Sequence, residues 1–289
     1  MKIALASCRD LPDWEVDDQP LEAALTARGV DVVKPAWDDP QVNWSKFDAC
    51  LIRTTWDYSE RRDAFVAWAK KVAISTKLFN PAETVRWNTD KRYLKELAER
   101  GVPTIETVWV EPGEHVDVAA LLRERGWSRG FIKPVVGASS RATLRIDDSA
   151  DGIAAAQKHL DRFAAHEAMM MQPYLATVES EGEYSVIFVD GKPAHGVRKV
   201  PVPGDYRVQD DYGAHDEPWT PTDEEMATAQ HAIRAGGHGL LYGRADFLRG
   251  NDGKLRMNEL ELVEPSLFFR HGKQTAELLA DALLARVYA

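Results

Sequence analysis

Short apolar runs alternate with helical segments over the first 80 residues, and the alternation predicts a small parallel α/β domain. Lys2 to Ser7, Val30 to Lys34 and Ala49 to Ile52 have the length and content of strands. Between the first two, Leu21 to Ala27 has helical spacing and a Gly29 stop. Arg53, Thr54, Thr55, Trp56, Asp57 and Tyr58 follow the third run, before a helix around Ala64 to Lys71. Ligands of open parallel sheets gather beyond the carboxyl ends of the strands, so this stretch is either a substrate-facing loop or a loop packed by its own aromatics. Asn80-Pro81 is a turn dipeptide that marks a boundary. A helix is expected beyond it, capped by Asn88, striped by Leu94, Leu97 and Ala98, and ended by Gly101 and Pro103. Lys91 falls in its first turn, where a cation opposes the helix dipole unless an anion is shared with the free amides.

Further along, single charges interrupt strand-like patterns. Lys133 lies within the apolar run Phe131 to Val136, where an ammonium needs either an anion or a route to solvent. Gly137, Ala138, Ser139 and Ser140 come next, a hairpin turn or a loop whose amides approach a phosphate closely. The spacing is neither that of a Walker loop nor that of a dinucleotide fingerprint. Met169 to Met171 reads as core filling, whereas Gln172, Pro173, Tyr174 and Leu175 could offer unpaired strand-edge groups to a purine. A strand from Glu183 and an Asp190-Gly191 hairpin turn follow.

The densest chemistry lies near the C-terminus. On a regular strand Leu255, Met257, Glu259 and Glu261 share one face, with the two carboxylates roughly 7 Å apart. The turn at Gly250 to Gly253 folds Asp246 back beside Glu259. Three acids there predict divalent cations between them, unless the strand simply exposes an acidic face.

Composition narrows the function classes. A net charge of -10, from 36 basic and 46 acidic residues, argues against general nucleic-acid binding. No apolar segment approaches a membrane span, and two cysteines signal neither a disulfide framework nor a thiolate metal site. A cytoplasmic protein is the expectation.

Taken in order, these pieces resemble the ATP-grasp superfamily over roughly residues 80 to 275. The implied fold is α/β: a small parallel α/β domain over residues 1–80, then a two-lobed α+β ATP-grasp domain over 81–289. Residues 103–171 would form its nucleotide-clamping lobe and 172–289 its metal-binding lobe. The resemblance implies ATP binding by Lys91, Lys133, Gly137, Ala138, Ser139, Ser140, Gln172 to Leu175, Glu183 and Met257. It implies Mg²⁺, two ions replaceable by Mn²⁺, on Asp246, Glu259 and Glu261. Arg53 to Tyr58, Arg86 to Lys91 and Gly204 to Gln209 make the chain most similar to the glutathione-synthetase-like branch, and within it to the cyclo-ligases of O-ureidoserine in cycloserine biosynthesis. That likeness gives Arg207 and Lys199 catalytic roles and makes Arg53, Thr54, Thr55, Trp56, Asp57 and Ser266 substrate-binding. Two departures are a single Gly in the loop after Lys133 and Glu261 where that branch has Asn. The implied activity joins a small-molecule carboxylate, activated as an acyl phosphate, to a nitrogen nucleophile, with no nucleic-acid or membrane partner and with a homo-oligomer allowed. A nucleotide-binding regulator and a salt-bridged interaction domain are the rival readings.

Overall fold

The computed structural model describes residues 1–11, 16–137, 141–208 and 213–289. Ala138, Ser139, Ser140 and Gln209 lie outside the described residues.

Alternation of strand and helix produces the first sheet. Its elements are β1 (Lys2–Ser7), α1 (Gln19–Ala27), β2 (Asp31–Val33), β3 (Ala49–Thr54), α2 (Arg62–Ser75) and β4 (Lys77–Phe79). The four strands are parallel in the order β2-β1-β3-β4. Ile3, Leu5 and Leu51 are fully buried on one side, Ala4, Cys50 and Ile52 on the other, as a sheet covered on both faces requires.

Two short helices follow, α3 (Ala82–Asn88) and α4 (Tyr93–Glu99). Asn88 therefore ends a helix instead of capping one, and Lys91 sits in the turn between the two. The Asn88 amide serves a different purpose: its Nδ2 donates to Leu260 O at 2.7 Å and its Oδ1 accepts from Leu262 N at 2.7 Å. A buried polar side chain with both functions satisfied is a tertiary staple.

A second sheet comprises β5 (Val108–Val110), β6 (Gly130–Pro134), β7 (Leu144–Ile146) and β8 (Met169–Pro173), in the order β5-β8-β6-β7, with α5 (Val118–Arg125) and α6 (Ala150–Ala164). Met169 and Met171 are fully buried among the residues of these helices, which is the core-filling role expected of them. The third sheet is reached through α7 (Thr177–Glu181) and contains β9 (Glu183–Val189), β10 (Lys192–Val200), β11 (His215–Trp219), β12 (Tyr242–Arg249) and β13 (Leu255–Glu261). Its order is β11-β10-β9-β12-β13, all antiparallel, with α8 (Asp223–Ala235) on one face. The last helix is α9 (Thr275–Tyr288). Asp190 and Gly191 both take positive φ, 51° and 73°, in the expected β9–β10 hairpin turn.

The first and third sheets share one core. Ile3, Leu5 and Leu51 pack with Ile187, Val197, Tyr242 and the α9 residues Leu279 and Leu283. Asn80 lies at this junction, fully buried, with Nδ2 donating to Tyr242 O (2.9 Å) and Leu262 O (2.7 Å) and Oδ1 accepting from Leu241 N (2.7 Å). The turn dipeptide read from the sequence is thus a packed seam. Asn80→Ala strands three backbone groups and should lower the unfolding free energy by about 2–4 kcal/mol, measured by urea denaturation of the full chain; a loss below about 0.5 kcal/mol would show that other donors replace the amide.

Candidate active site

One face of the third sheet changes character along its strands. On β12 the alternate residues Tyr242, Arg244, Asp246 and Leu248 point to it. Tyr242 joins the core shared with the first sheet, whereas Leu248 packs with Ile105, Val178 and Val208 at the other end. Between them the face is charged and lines a cavity of about 400 Å³. β12 therefore gives that cavity an axis: apolar wall, charged middle, then the first sheet.

Strand register sets the charged middle. Arg244 pairs across to Glu261, Asp246 to Glu259 and to Ser185, and Lys199 to Glu183. Arg244 Nη2 lies 2.5 Å from Glu261 Oε1 and 2.9 Å from Asp246 Oδ2. Ser185 Oγ donates to Asp246 Oδ1 at 2.6 Å, and Lys199 pairs with Glu183 and stands 3.5 Å from Asp246. Two lysines arrive from outside the sheet. Lys133 Nζ, on β6, is 3.2 Å from Glu259 Oε1, and Lys91 Nζ is 3.8 Å from the same oxygen while donating to Gly137 O at 2.8 Å.

A β-bulge corrects the face expected for β13. Phe247 pairs with Met257 and Asp246 with Glu259, so Asn258 is an extra residue that reverses the alternation. Leu255 and Met257 pack into the core with Leu260 and Leu262, while Asn258, Glu259 and Glu261 line the cavity. The Met257 side chain is thus fully buried away from the nucleotide position assigned to it. Asn258 Nδ2 donates to Glu183 Oε2 at 2.6 Å, and its Oδ1 lies 3.4 Å from Lys133 Nζ.

The expected repulsion among three acids is relieved here by cations of the chain itself. Burial raises the Glu259 carboxyl, but Lys91 and Lys133 more than offset it and hold the group below the usual carboxylate range. Burial likewise opposes ionisation of Asp246, and Arg244 and Lys199 prevail. At Glu261 burial wins over Arg244, aided by the neighbouring acids, and the carboxyl is raised. Glu264, just beyond β13, is pushed up to about 8 by burial and by Glu261.

The remaining expected residues divide between wall and scaffold. Gly137, Gln172, Pro173, Leu175, Arg207, Trp56 and Ser266 line the cavity. Arg207 is held by Asp205 at 2.7 Å. Tyr174 turns its hydroxyl to Glu179 and its ring to Phe131. Arg53 is a correction: its guanidinium is 1% exposed, paired with Asp18 at 2.8 Å and bonded to Pro265 O, and it does not line the cavity. Thr54 and Thr55 are also buried, and Asp57 accepts from Trp37 Nε1 and pairs with Arg61. Glu264 at the first-sheet end and Arg244 in the middle line the cavity without having been singled out from the sequence, and Tyr58, the last residue of the stretch that could face a substrate, lines it as well. Arg244 had a readable signal, an arginine two residues before Asp246 in an apolar strand. His195 and His271 are polar packing residues, bonded to Thr275 and Asp216 respectively.

Asp246, Glu259, Glu261 and Asn258 offer the hard oxygen donors that Mg²⁺ takes. Among the described residues, no three acidic, histidine or cysteine side chains are gathered tightly enough to ligate one ion by themselves. The acids turn to Arg244, Lys91, Lys133 and Lys199, so the donor set fits an ion that shares them with these cations and takes further oxygens from a ligand.

Residues 3–80 match the family described as D-cycloserine synthetase DcsG, N-terminal domain, and residues 114–248 match the prokaryotic glutathione synthetase ATP-grasp domain. Cycloserine biosynthesis protein DcsG of Streptomyces lavendulae is 33% identical over 295 residues, 94% of each chain. A crystal structure of D-cycloserine synthetase DcsG superposes with a TM-score of 0.89 at 31% identity, covering 99% of this chain and 100% of that one. The ATP-grasp ligase PsnB, solved with a minimal precursor, Mg and ADP, shares the fold at 17% identity and a TM-score of 0.66, over 99% and 98% of the two chains. With a third of its residues identical across nearly its whole length, the chain belongs to the ATP-grasp carbon-nitrogen ligases, in the family of DcsG.

Proposed function

We propose that this enzyme activates the carboxylate of an amino acid or amino-acid derivative as an acyl phosphate, releases ADP, and joins the acyl group to a nitrogen nucleophile with loss of phosphate. The observation that carries the reading is the meeting of Lys91 and Lys133 on Glu259 at the centre of the cavity, between an apolar wall and a polar one. A base seated against Ile105, Leu175 and Leu248 would direct its polyphosphate at those lysines. Gln172 and Pro173 then flank the base, and Glu183 is the acid nearest the apolar wall for the ribose. Bound Mg²⁺, in two ions on Asp246, Glu259 and Glu261, would neutralise the phosphate oxygens.

Lys91 and Lys133 would exchange part of their pairing with Glu259 for phosphate oxygens, which keeps both charges compensated throughout. Arg207 on the cavity wall and Lys199 would stabilise charge that develops on the acyl phosphate and on the tetrahedral adduct. Trp56 and Ser266 border the first-sheet end, where the carboxylate substrate would enter. Residues 1–80 would act as the domain that closes this end, and 81–289 as the nucleotide-binding domain. The name of the DcsG relative suggests the special case in which carboxylate and nitrogen belong to one molecule, as in O-ureidoserine.

Three outcomes test the reading. Glu259→Gln should lower kcat by at least about 100-fold with the unfolding midpoint little changed, and wild-type turnover in the folded variant would remove Glu259 from the metal site. Lys133→Ala should raise the Kd for Mg-ATP about tenfold or more by calorimetry; unchanged affinity with lowered stability would make Lys133 structural. With O-ureidoserine labelled by heavy oxygen in its carboxylate, one labelled atom should leave in inorganic phosphate beside ADP. Label in AMP, or unlabelled phosphate during turnover, would show a different route of activation.

A further inference from the structure

Among the described residues five carboxylates line the cavity, and four are matched by cations of the chain. Glu183 has Lys199, Asp246 and Glu261 have Arg244, and Glu259 has Lys133 and Lys91. Glu264 differs. The Tyr58 hydroxyl is the neutral polar group that acts on its carboxyl, and among the described residues it has no cation at ion-pair distance. The chain has a basic residue for each of the other four; burial and Glu261 hold this carboxyl above the usual carboxylate range, and a cation brought by a ligand is what would ionise it.

Glu264 also stands in a fixed place. Its own carbonyl accepts from Trp56 Nε1 at 3.1 Å, and those on either side accept from Tyr242 and Arg53 at 2.7 and 2.9 Å. Along the cavity axis it lies past Glu261, on the side of the first sheet, away from the apolar wall. Trp56 and Tyr58 are the neighbouring aromatic walls there, and aromatic faces beside a carboxylate suit an ammonium group. In an α-amino acid the ammonium and carboxylate are carried on one carbon. A carboxylate held for phosphorylation in the charged middle therefore places its ammonium in an adjoining subsite.

We propose that Glu264 receives the α-ammonium of the amino-acid substrate, with Tyr58 orienting its carboxylate and Trp56 walling the subsite. This assignment rests on the amino-acid ligase reading above and makes Glu264 a specificity residue: it distinguishes α-amino carboxylates from their des-amino counterparts.

The test is calorimetric and needs no turnover. The full chain loaded with Mg-ADP is titrated with D-cycloserine and with isoxazolidin-3-one, the same ring without its amine. Wild type should bind the amine-bearing ring at least about tenfold more tightly, as a charge-assisted hydrogen bond provides. Glu264→Gln should reduce that preference to within about threefold and leave the Kd for Mg-ADP unchanged, and Glu264→Asp should recover part of it. Equal affinity of wild type for both rings, binding of neither, or an undiminished preference in Glu264→Gln overturns the assignment. An absence of ADP release with every carboxylate tried would instead overturn the ligase reading, and the two failures are read from different measurements. Should Glu264→Gln lose Mg-ADP binding, Tyr58→Phe serves as the second variant: a preference undiminished there overturns the subsite, and a weakened one supports it.

Discussion

Five consecutive carbonyl groups beyond β13 have no strand to pair with and are nonetheless buried or half-buried. Leu262, Val263, Glu264, Pro265 and Ser266 accept in turn from Asn80, Tyr242, Trp56, Arg53 and Arg244. An unpaired buried carbonyl costs about as much as a lost hydrogen bond, so the chain leaves its sheet here only because side chains replace the ladder. Three of the donors come from residues 53–80 and two from β12. The segment is consequently held between the first and third sheets, and the cavity wall bearing Glu264 and Ser266 exists only when both are in place. Arg53 explains its own burial in these terms. It is stretched between Asp18 and Pro265, and the carboxylate compensates a charge that would otherwise be prohibitive in that interior.

The charged face behind this segment is organised differently. Its ions are neighbours by strand register, so their spacing follows from hydrogen-bonded pairing and owes little to flexible side chains. Such a grid contributes little net stability, because desolvation consumes most of the attraction. It keeps Asp246 and Glu259 ionised beside their cations and ready to exchange partners. A polyphosphate with its metal ions brings both signs of charge, so lysines and carboxylates can each be re-paired when it binds. Glu261, raised by burial beside Asp246 and Glu259, is the acid of this set most in need of further positive charge.

The family relationship and the charge pattern meet at the first-sheet end of the cavity. Likeness to DcsG extends through residues 3–80 as well as through the ATP-grasp portion. Trp56 and Tyr58 belong to that first portion, and both touch the segment that carries Glu264. The cavity wall that carries Glu264 is thus built from both parts of the chain.

Much of the architecture was legible in local patterns. Alternating apolar runs foretold the parallel first sheet, the Asp190-Gly191 turn foretold the β9–β10 hairpin, and Lys91, Lys133, Asp246, Glu259 and Glu261 stood out because single charges broke apolar strands or helix starts. Those features are properties of a residue and its near neighbours. Three things were decided elsewhere. The bulge at Asn258 reversed the face of Met257, which no two-residue period reveals, since it depends on how β12 lies beside β13. Arg53 looked like a ligand-binding arginine but was taken by Asp18, 35 positions away in sequence. Glu264 is distinguished from four other acids only by lacking a cation among the described residues, and a missing partner is visible only when every neighbour has been placed. Local chemistry is written in sequence order, whereas pairing of charges and donors across sheets arises from long-range packing, and that packing separated scaffold from site.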